Sequence, residues 1–249
     1  VWIASYPKSG NTWVRAFLTS YFYSDDGMFN FELLENIKEF PRQYFENISN
    51  EKLSKGILKE STEWANGQKK MSMEKNITFL KTHSSLCNIG GNSFINRNNT
   101  LGIIYIVRDP RNVITSFSNH YDKSIDESLK FMTNKNTIAS SKKQDINYGY
   151  TFYSDWQNHY NSWKEIKKII PIIIIKYEDL IDSANKVFSI ILSFLGGLTE
   201  VNINEEKMKN AVNSTNFKKL RNMEEKFGFK EMNKMGFKNK FFNLGKDNS

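Results

Sequence analysis

One cysteine, Cys87, is present among 249 residues. No internal disulfide can form and no cysteine-built metal site exists, which fits a reducing compartment and makes a cytoplasmic location the expectation. Long hydrophobic runs are also lacking. The longest, such as Ile169–Ile175, fall well short of the roughly 20 residues that a membrane helix needs, so no membrane span is expected. No signal-peptide pattern precedes the first apolar run, which opens at Val1. Internal repeats and clean linkers are absent too, and the length suits one domain, 1–249, with a full core. Finally, no Gly-Lys-Ser or Gly-Lys-Thr occurs, so the common G-x-x-x-x-G-K-[ST] phosphate loop is missing and an ordinary ATPase or kinase is a poor match.

What is present is positive charge. The formal net charge is +8, which favours an anionic ligand. Nucleic acid is the bland reading of such a balance. Apart from a Lys-rich stretch after Asn204, however, the basic residues are scattered and interleaved with acidic ones, so no nucleic-acid partner is expected.

Along the chain, Val1–Ser5 reads as a short buried strand and Thr12–Tyr23 as a helix with Val14, Phe17, Leu18 and Tyr21 on one face. Residues 25–76 are polar with isolated aromatics at Phe29, Phe31, Phe40, Tyr44 and Phe45, the pattern of irregular helices and loops capping a pocket. Ile77–Thr82 and Leu101–Val107 read as further strands, separated by a turn rich in Gly and Asn. Asp109 followed by Pro110 is a strong helix start. A short helix is expected over 125–133, a polar loop over 134–147 and a longer helix over 150–168. The four isoleucines in Pro171–Lys176 predict the centre of a parallel sheet. Glu178–Leu195 is amphipathic and is expected to end at Gly196-Gly197. Strands alternating with helices predict an α/β fold, a P-loop-like three-layer arrangement with a central parallel sheet flanked by helices.

The segment Ser5-Tyr6-Pro7-Lys8-Ser9-Gly10-Asn11-Thr12-Trp13 concentrates the chemistry. Strand, tight turn and helix in succession aim backbone N–H groups at an anion, with a lysine and two hydroxyls to assist. A plain surface turn is the alternative, weakened by the strand before it and the hydroxyl-rich helix after it.

From Tyr6 to Trp13 the chain resembles the cytosolic-type sulfotransferases, which use 3′-phosphoadenosine 5′-phosphosulfate (PAPS) and release 3′-phosphoadenosine 5′-phosphate (PAP). The resemblance extends in order over nearly the whole chain. Arg108-Asp109-Pro110-Arg111-Asn112-Val113-Ile114-Thr115-Ser116 is similar to the family segment whose arginine, and a serine eight residues later, clamp the 3′-phosphate; here these are Arg108 and Ser116. A guanidinium fork suits phosphate on chemical grounds. Lys81-Thr82-His83 resembles the segment that carries the family's catalytic base. His83 is preferred over His120, which ends a helix, and over His159, whose Trp156-x-x-His159-x-x-x-Trp163 setting resembles a structural helix. Tyr177-Glu178-Asp179 and Thr215-Asn216-Phe217 resemble segments that contact the adenine, with Trp13 stacked on the same base. Phe241-Phe242-Asn243-Leu244-Gly245 is similar to a final loop in which Arg-Lys usually precedes the glycine. Here Asn243 and Leu244 take those places, with Lys246 as a partial substitute.

The resemblance implies that the donor is bound by Lys8, Ser9, Gly10, Asn11, Thr12, Trp13, Arg108, Ser116, Tyr177, Thr215, Phe217 and Gly245. His83 would act as base, Lys8 at the leaving oxygen and Lys81 at the sulfuryl oxygens, without a metal. Residues 25–76 would cap the acceptor, a small molecule or glycan bearing a hydroxyl or amine, and 204–249 would close over the donor. A variant phosphate-loop kinase and a non-catalytic nucleotide or polyanion binder are the competing classes. Neither the acceptor nor the oligomeric state is legible.

Overall fold

The computed structural model describes residues 1–46, 56–72, 77–143, 146–231 and 240–242. The chain opens with strand β1 (Trp2–Ser5), helix α1 (Asn11–Tyr23), strand β2 (Lys38–Glu39) and helices α2 (Arg42–Glu46), α3 (Ile57–Thr62) and α4 (Trp64–Ser72). Strands β3 (Leu80–Thr82), β4 (Asn88–Ile89), β5 (Asn92–Ser93) and β6 (Ile103–Val107) follow, then helices α5 (Pro110–Tyr121) and α6 (Ile125–Thr133). Strands β7 (Ile138–Lys143) and β8 (Ile146–Phe152), helix α7 (Trp156–Glu165) and strand β9 (Ile172–Lys176) lead to helices α8 (Tyr177–Leu198), α9 (Glu205–Ser214) and α10 (Phe217–Phe227).

Five strands form a central parallel sheet in the order β2-β3-β1-β6-β9, flanked by helices, as the alternation of elements predicts. β1 aligns Trp2 with Leu80, Ile3 with Lys81 and Ala4 with Thr82 of β3. All four residues of β1 are buried, which suits an apolar strand with neighbours on both sides. The carboxyl ends of β1 and β3 therefore bring Ser5, which closes β1, beside His83, which follows β3.

Four expectations need correction. The isoleucine strand β9 lies at the edge of the sheet, not its centre. Only Ile175 is buried there, and Ile174 is 37% exposed. A run of β-branched residues marks a strand but not its place in the sheet. The segment read as a loop is largely an antiparallel hairpin, β7 with β8. Residues 139–147 are almost wholly polar, so little apolar alternation is available to reveal it. The following helix starts at Trp156, capped by the Asp155 side chain accepting from the Asn158 N–H, so Phe152 belongs to a strand. Helix α8 runs through Gly196-Gly197 to Leu198, because glycine weakens a helix without obliging it to stop.

The backbone falls into two compact units. The first comprises 1–6, 37–105 and 131–173. Its core joins Trp2 to Phe40 and Phe94 at ring separations of 5.6 and 5.9 Å, and Trp64 to Phe94 and Phe152 at 5.2 and 5.7 Å. The second comprises 7–36, 106–130 and 174–249, and is organised by Phe17 stacked on Phe188 at 3.9 Å. The aromatics expected to line a cap are engaged with other rings. Phe40 and Tyr44 pack together in the first unit, whereas Phe31 meets Phe29, Phe229 and Phe242 in the second.

By length and composition, α8 is the one described helix long and apolar enough to cross a membrane. Its Leu180, Val187, Phe188, Ile191, Leu192 and Leu195 are buried, the face of a core helix.

Candidate functional site

In the second unit, the turn after β1 is built around two positive φ values. Lys8 has φ 64° and Gly10 φ 99°. Gly10 immediately precedes α1, and its carbonyl accepts the Trp13 and Val14 N–H groups at 3.1 and 3.3 Å. A Cβ on Gly10 would stand 2.5 Å from Tyr177 Cδ2, so both the backbone and the close approach of Tyr177 require glycine here. Among the described residues no side chain caps α1, so its first turn keeps the positive end of the helix dipole open.

Arg108, at the carboxyl end of β6, reaches this turn. Its Nη1 donates to the Lys8 carbonyl at 3.0 Å, and its guanidinium carbon lies 4.3 Å from the Tyr177 ring centroid. Burial lowers the Arg108 pKa, opposed by Tyr177, Glu178 and Asp109. Burial likewise raises that of Tyr177. The α5 cap forms as expected, with the Asp109 side chain accepting from the Arg111 N–H at 2.8 Å. Asn112 and Ser116 are half-buried on α5, while Val113 and Phe117 are buried.

Trp13 stands edge-on to Tyr177, Phe188 and Phe217, at 6.3, 6.3 and 6.4 Å. The predicted adenine contacts Trp13, Tyr177 and Phe217 are thus brought together. Thr215 is fully buried and donates its hydroxyl to the Ala211 carbonyl at 2.7 Å, so its lone pairs are what it has left to offer. Asn11 and Thr12 are buried in the first turn of α1. Gly245, Asn243, Leu244 and Lys246 lie outside the described residues.

Ser9 Oγ, Trp13 Nε1 and Arg108 Nε are buried polar atoms with no hydrogen-bond partner among the described residues. Each such group costs about 1–3 kcal/mol when left unsatisfied. A hydroxyl, an indole N–H and a guanidinium N–H together fit a polyanionic nucleotide with an aromatic base.

Two contacts in this unit carry no sequence signal. Glu231 takes a charge-assisted bond from Arg15 Nη1 at 2.7 Å and a long one from the Thr12 hydroxyl at 3.4 Å. Lys8 Nζ sits 4.1 Å from the Phe241 ring centroid. His120, in the last turn of α5, packs edge-on against Tyr121 and Phe241.

In the first unit, His83 follows β3 directly. Its Nδ1 lies 2.8 Å from the Ser5 carbonyl and 3.4 Å from the Ser5 hydroxyl. A carbonyl only accepts, so Nδ1 carries a proton, and in the neutral ring Nε2 has the lone pair. Lys81 is buried on β3 and pairs with Glu39 of β2 at 3.5 Å. A two-residue strand such as β2 is too short to be read from sequence. His159 is fully buried, and its pKa is lowered to about 3, chiefly by burial.

The family model for the sulfotransferase domain matches residues 1–247. The chain belongs to the sulfotransferase family. It is 26% identical over 222 residues to sulfotransferase 1A1 of Rattus norvegicus, covering 88% of this chain and 66% of that protein. The chain thus spans just under two thirds of the length of this curated relative. Among solved structures, mouse sulfotransferase SULT7A1 complexed with PAP matches with a TM-score of 0.57 at 18% identity, over 89% of this chain and 65% of that one. Retinol dehydratase in a complex with retinol and PAP matches with a TM-score of 0.60 at 16% identity, over 98% and 73%. At these identities the two structures speak for the sulfotransferase fold.

Proposed function

We propose that the chain transfers a sulfuryl group from PAPS to a hydroxyl or amine of a small-molecule or glycan acceptor. The observation that carries this reading is the set of buried, unpartnered donors Ser9 Oγ, Trp13 Nε1 and Arg108 Nε around an uncapped helix N-terminus. When bound, the donor supplies a sulfuryl group on a phosphate leaving oxygen.

The N–H groups of residues 8–12 and the Ser9 and Thr12 hydroxyls hold the 5′ end of the nucleotide. Lys8 neutralises charge that develops on the leaving oxygen, an electrostatic role. Arg108 and Ser116 hold the 3′-phosphate, a group that a user of ATP does not need to recognise. Trp13, Tyr177 and Phe217 bracket the base, with Thr215 and the loop around Gly245 contributing from the 204–249 segment. His83 takes the acceptor proton at Nε2, and its Nδ1–H bond to Ser5 keeps that tautomer in place. Lys81 assists at the sulfuryl oxygens, and no step calls for a metal. Residues 25–76 cap the acceptor, one domain carries the whole reaction, and the cytoplasm is its compartment.

Calorimetry with PAP, ADP and ATP tests the reading. PAP should bind far more tightly than either of the others, and without magnesium. Equal affinities would sink it, and a magnesium-dependent preference for ATP would favour the kinase.

A further inference from the structure

Helix α7 presents His159, Ser162 and Trp163 at i, i+3 and i+4, one face of the helix. Each holds one backbone group of the short stretch that follows β3. His159 Nε2 lies 3.2 Å from the His83 carbonyl, Trp163 Nε1 donates to the Ser84 carbonyl at 3.0 Å, and Ser162 Oγ accepts from the Leu86 N–H at 3.0 Å. The stretch is also tied from its other side. The Ser84 N–H donates to Thr82 Oγ1, the Phe152 N–H donates to Ser84 Oγ, and the Ser85 N–H donates to the Phe152 carbonyl at 2.7 Å.

The chemistry of these partners defines the state of His159. The His83 carbonyl can only accept, so the His159 proton sits on Nε2. Nδ1 is then the acceptor, and the Tyr105 hydroxyl stands 2.9 Å from it. Tyr6 lies edge-on to the same imidazole at 5.3 Å, one residue after Ser5, whose carbonyl holds the His83 ring. One fully buried imidazole therefore touches the ends of both strands on which the His83 ring depends.

We infer that His159 is a positioning residue: as the Nε2–H tautomer, locked by Tyr105, it fixes the His83 backbone so that the Nδ1–H bond to Ser5 holds the His83 ring in one orientation. This rests on the reading of His83 as the base. Burial alone requires that both ring nitrogens find partners; what points to His83 is that one of those partners is the His83 main chain.

The test uses the full chain, whose three histidines can be assigned in ring-nitrogen NMR spectra by single substitution. In the wild type, His83 should show one tautomer, protonated on Nδ1, and His159 one tautomer, protonated on Nε2. In His159→Leu the His83 signal should become a mixture of tautomers, while PAP affinity by calorimetry stays unchanged. Turnover at saturating donor should fall by about 100-fold, the scale of a misplaced catalytic group, with the donor KM constant. His159→Gln retains an N–H donor and an acceptor, and should restore the single His83 tautomer. A folded His159→Leu protein with an unaltered His83 spectrum overturns the inference. Should that variant fail to fold, Tyr105→Phe decides: unchanged tautomers at both His159 and His83 overturn it equally. Retained turnover in His83→Ala would instead sink the base reading, whatever the spectra of the His159 variants show.

Discussion

Around His83, the proposed base in the first unit, the stretch that follows β3 is held by hydrogen bonds on both sides. The carbonyls of His83 and Ser84, the Ser84 hydroxyl and the His159 ring all have partners within the protein. Around the anion turn, in the second unit, Ser9, Trp13 and Arg108 each keep a buried polar atom without one. The groups named in the first region bond within the protein, whereas those in the second keep capacity that the proposed nucleotide would use. Catalytic groups need fixed geometry, and binding groups need unspent hydrogen-bonding capacity.

His83→Ala should sharpen this contrast most. Turnover is expected to fall by about 10²–10⁴-fold, the usual contribution of a general base, with PAP affinity unchanged in calorimetry. Loss of PAP binding in the same variant would break the division of labour. Arg108→Ala should act in the opposite sense and weaken PAP by about 10–100-fold, the loss of charge-assisted bonds worth about 1.5–3 kcal/mol. ADP, which has no 3′-phosphate, should be affected much less.

Gly10→Ala forces a side chain onto a φ of 99° and against Tyr177. It should destabilise the fold by about 1–3 kcal/mol in chemical denaturation and weaken PAP as well. Glu231→Gln removes a carboxylate from beside Thr12 and Arg15. Since a partly exposed ion pair is worth about 1 kcal/mol or less, PAP should bind a few-fold tighter, and a weaker affinity would mean that Glu231 supports the turn.

A further prediction concerns pH. Glu60 is buried and accepts the N–H groups of Gly149 and Tyr150 at 2.8 and 3.0 Å. Burial raises its pKa from 4.5 to about 7 against those bonds. Its folded pKa lies above the unfolded one, so this contribution is complete below about 4.5 and is lost as pH rises through 7. His159 acts the other way. Its folded pKa falls from 6.5 to about 3, so stability is lost as pH drops through that interval. Denaturation of wild type and Glu60→Gln across pH 4.5 to 7 isolates the first effect, because the difference between them should shrink or change sign with rising pH. A constant difference would mean that Glu60 does not titrate in that window.

Local chemistry was the legible part. A tight turn between strand and helix, an Asp-Pro helix start and an arginine closing a strand are decided within a few residues, and the segments 5–13 and 108–116 fold as their sequence predicts. The α/β class follows from the same kind of pattern. What the tertiary structure alone decided are relations between distant residues. These are the edge position of β9, the β7–β8 hairpin, the Arg15–Glu231 pair 216 residues apart, and the His159–His83 bond across 76. An isoleucine run is equally at home in the middle of a sheet or at its edge, and a histidine on a helix bears no mark of the carbonyl it will meet. Such partners are selected by packing and by the need to satisfy buried polar groups, and both exist only once the chain is folded.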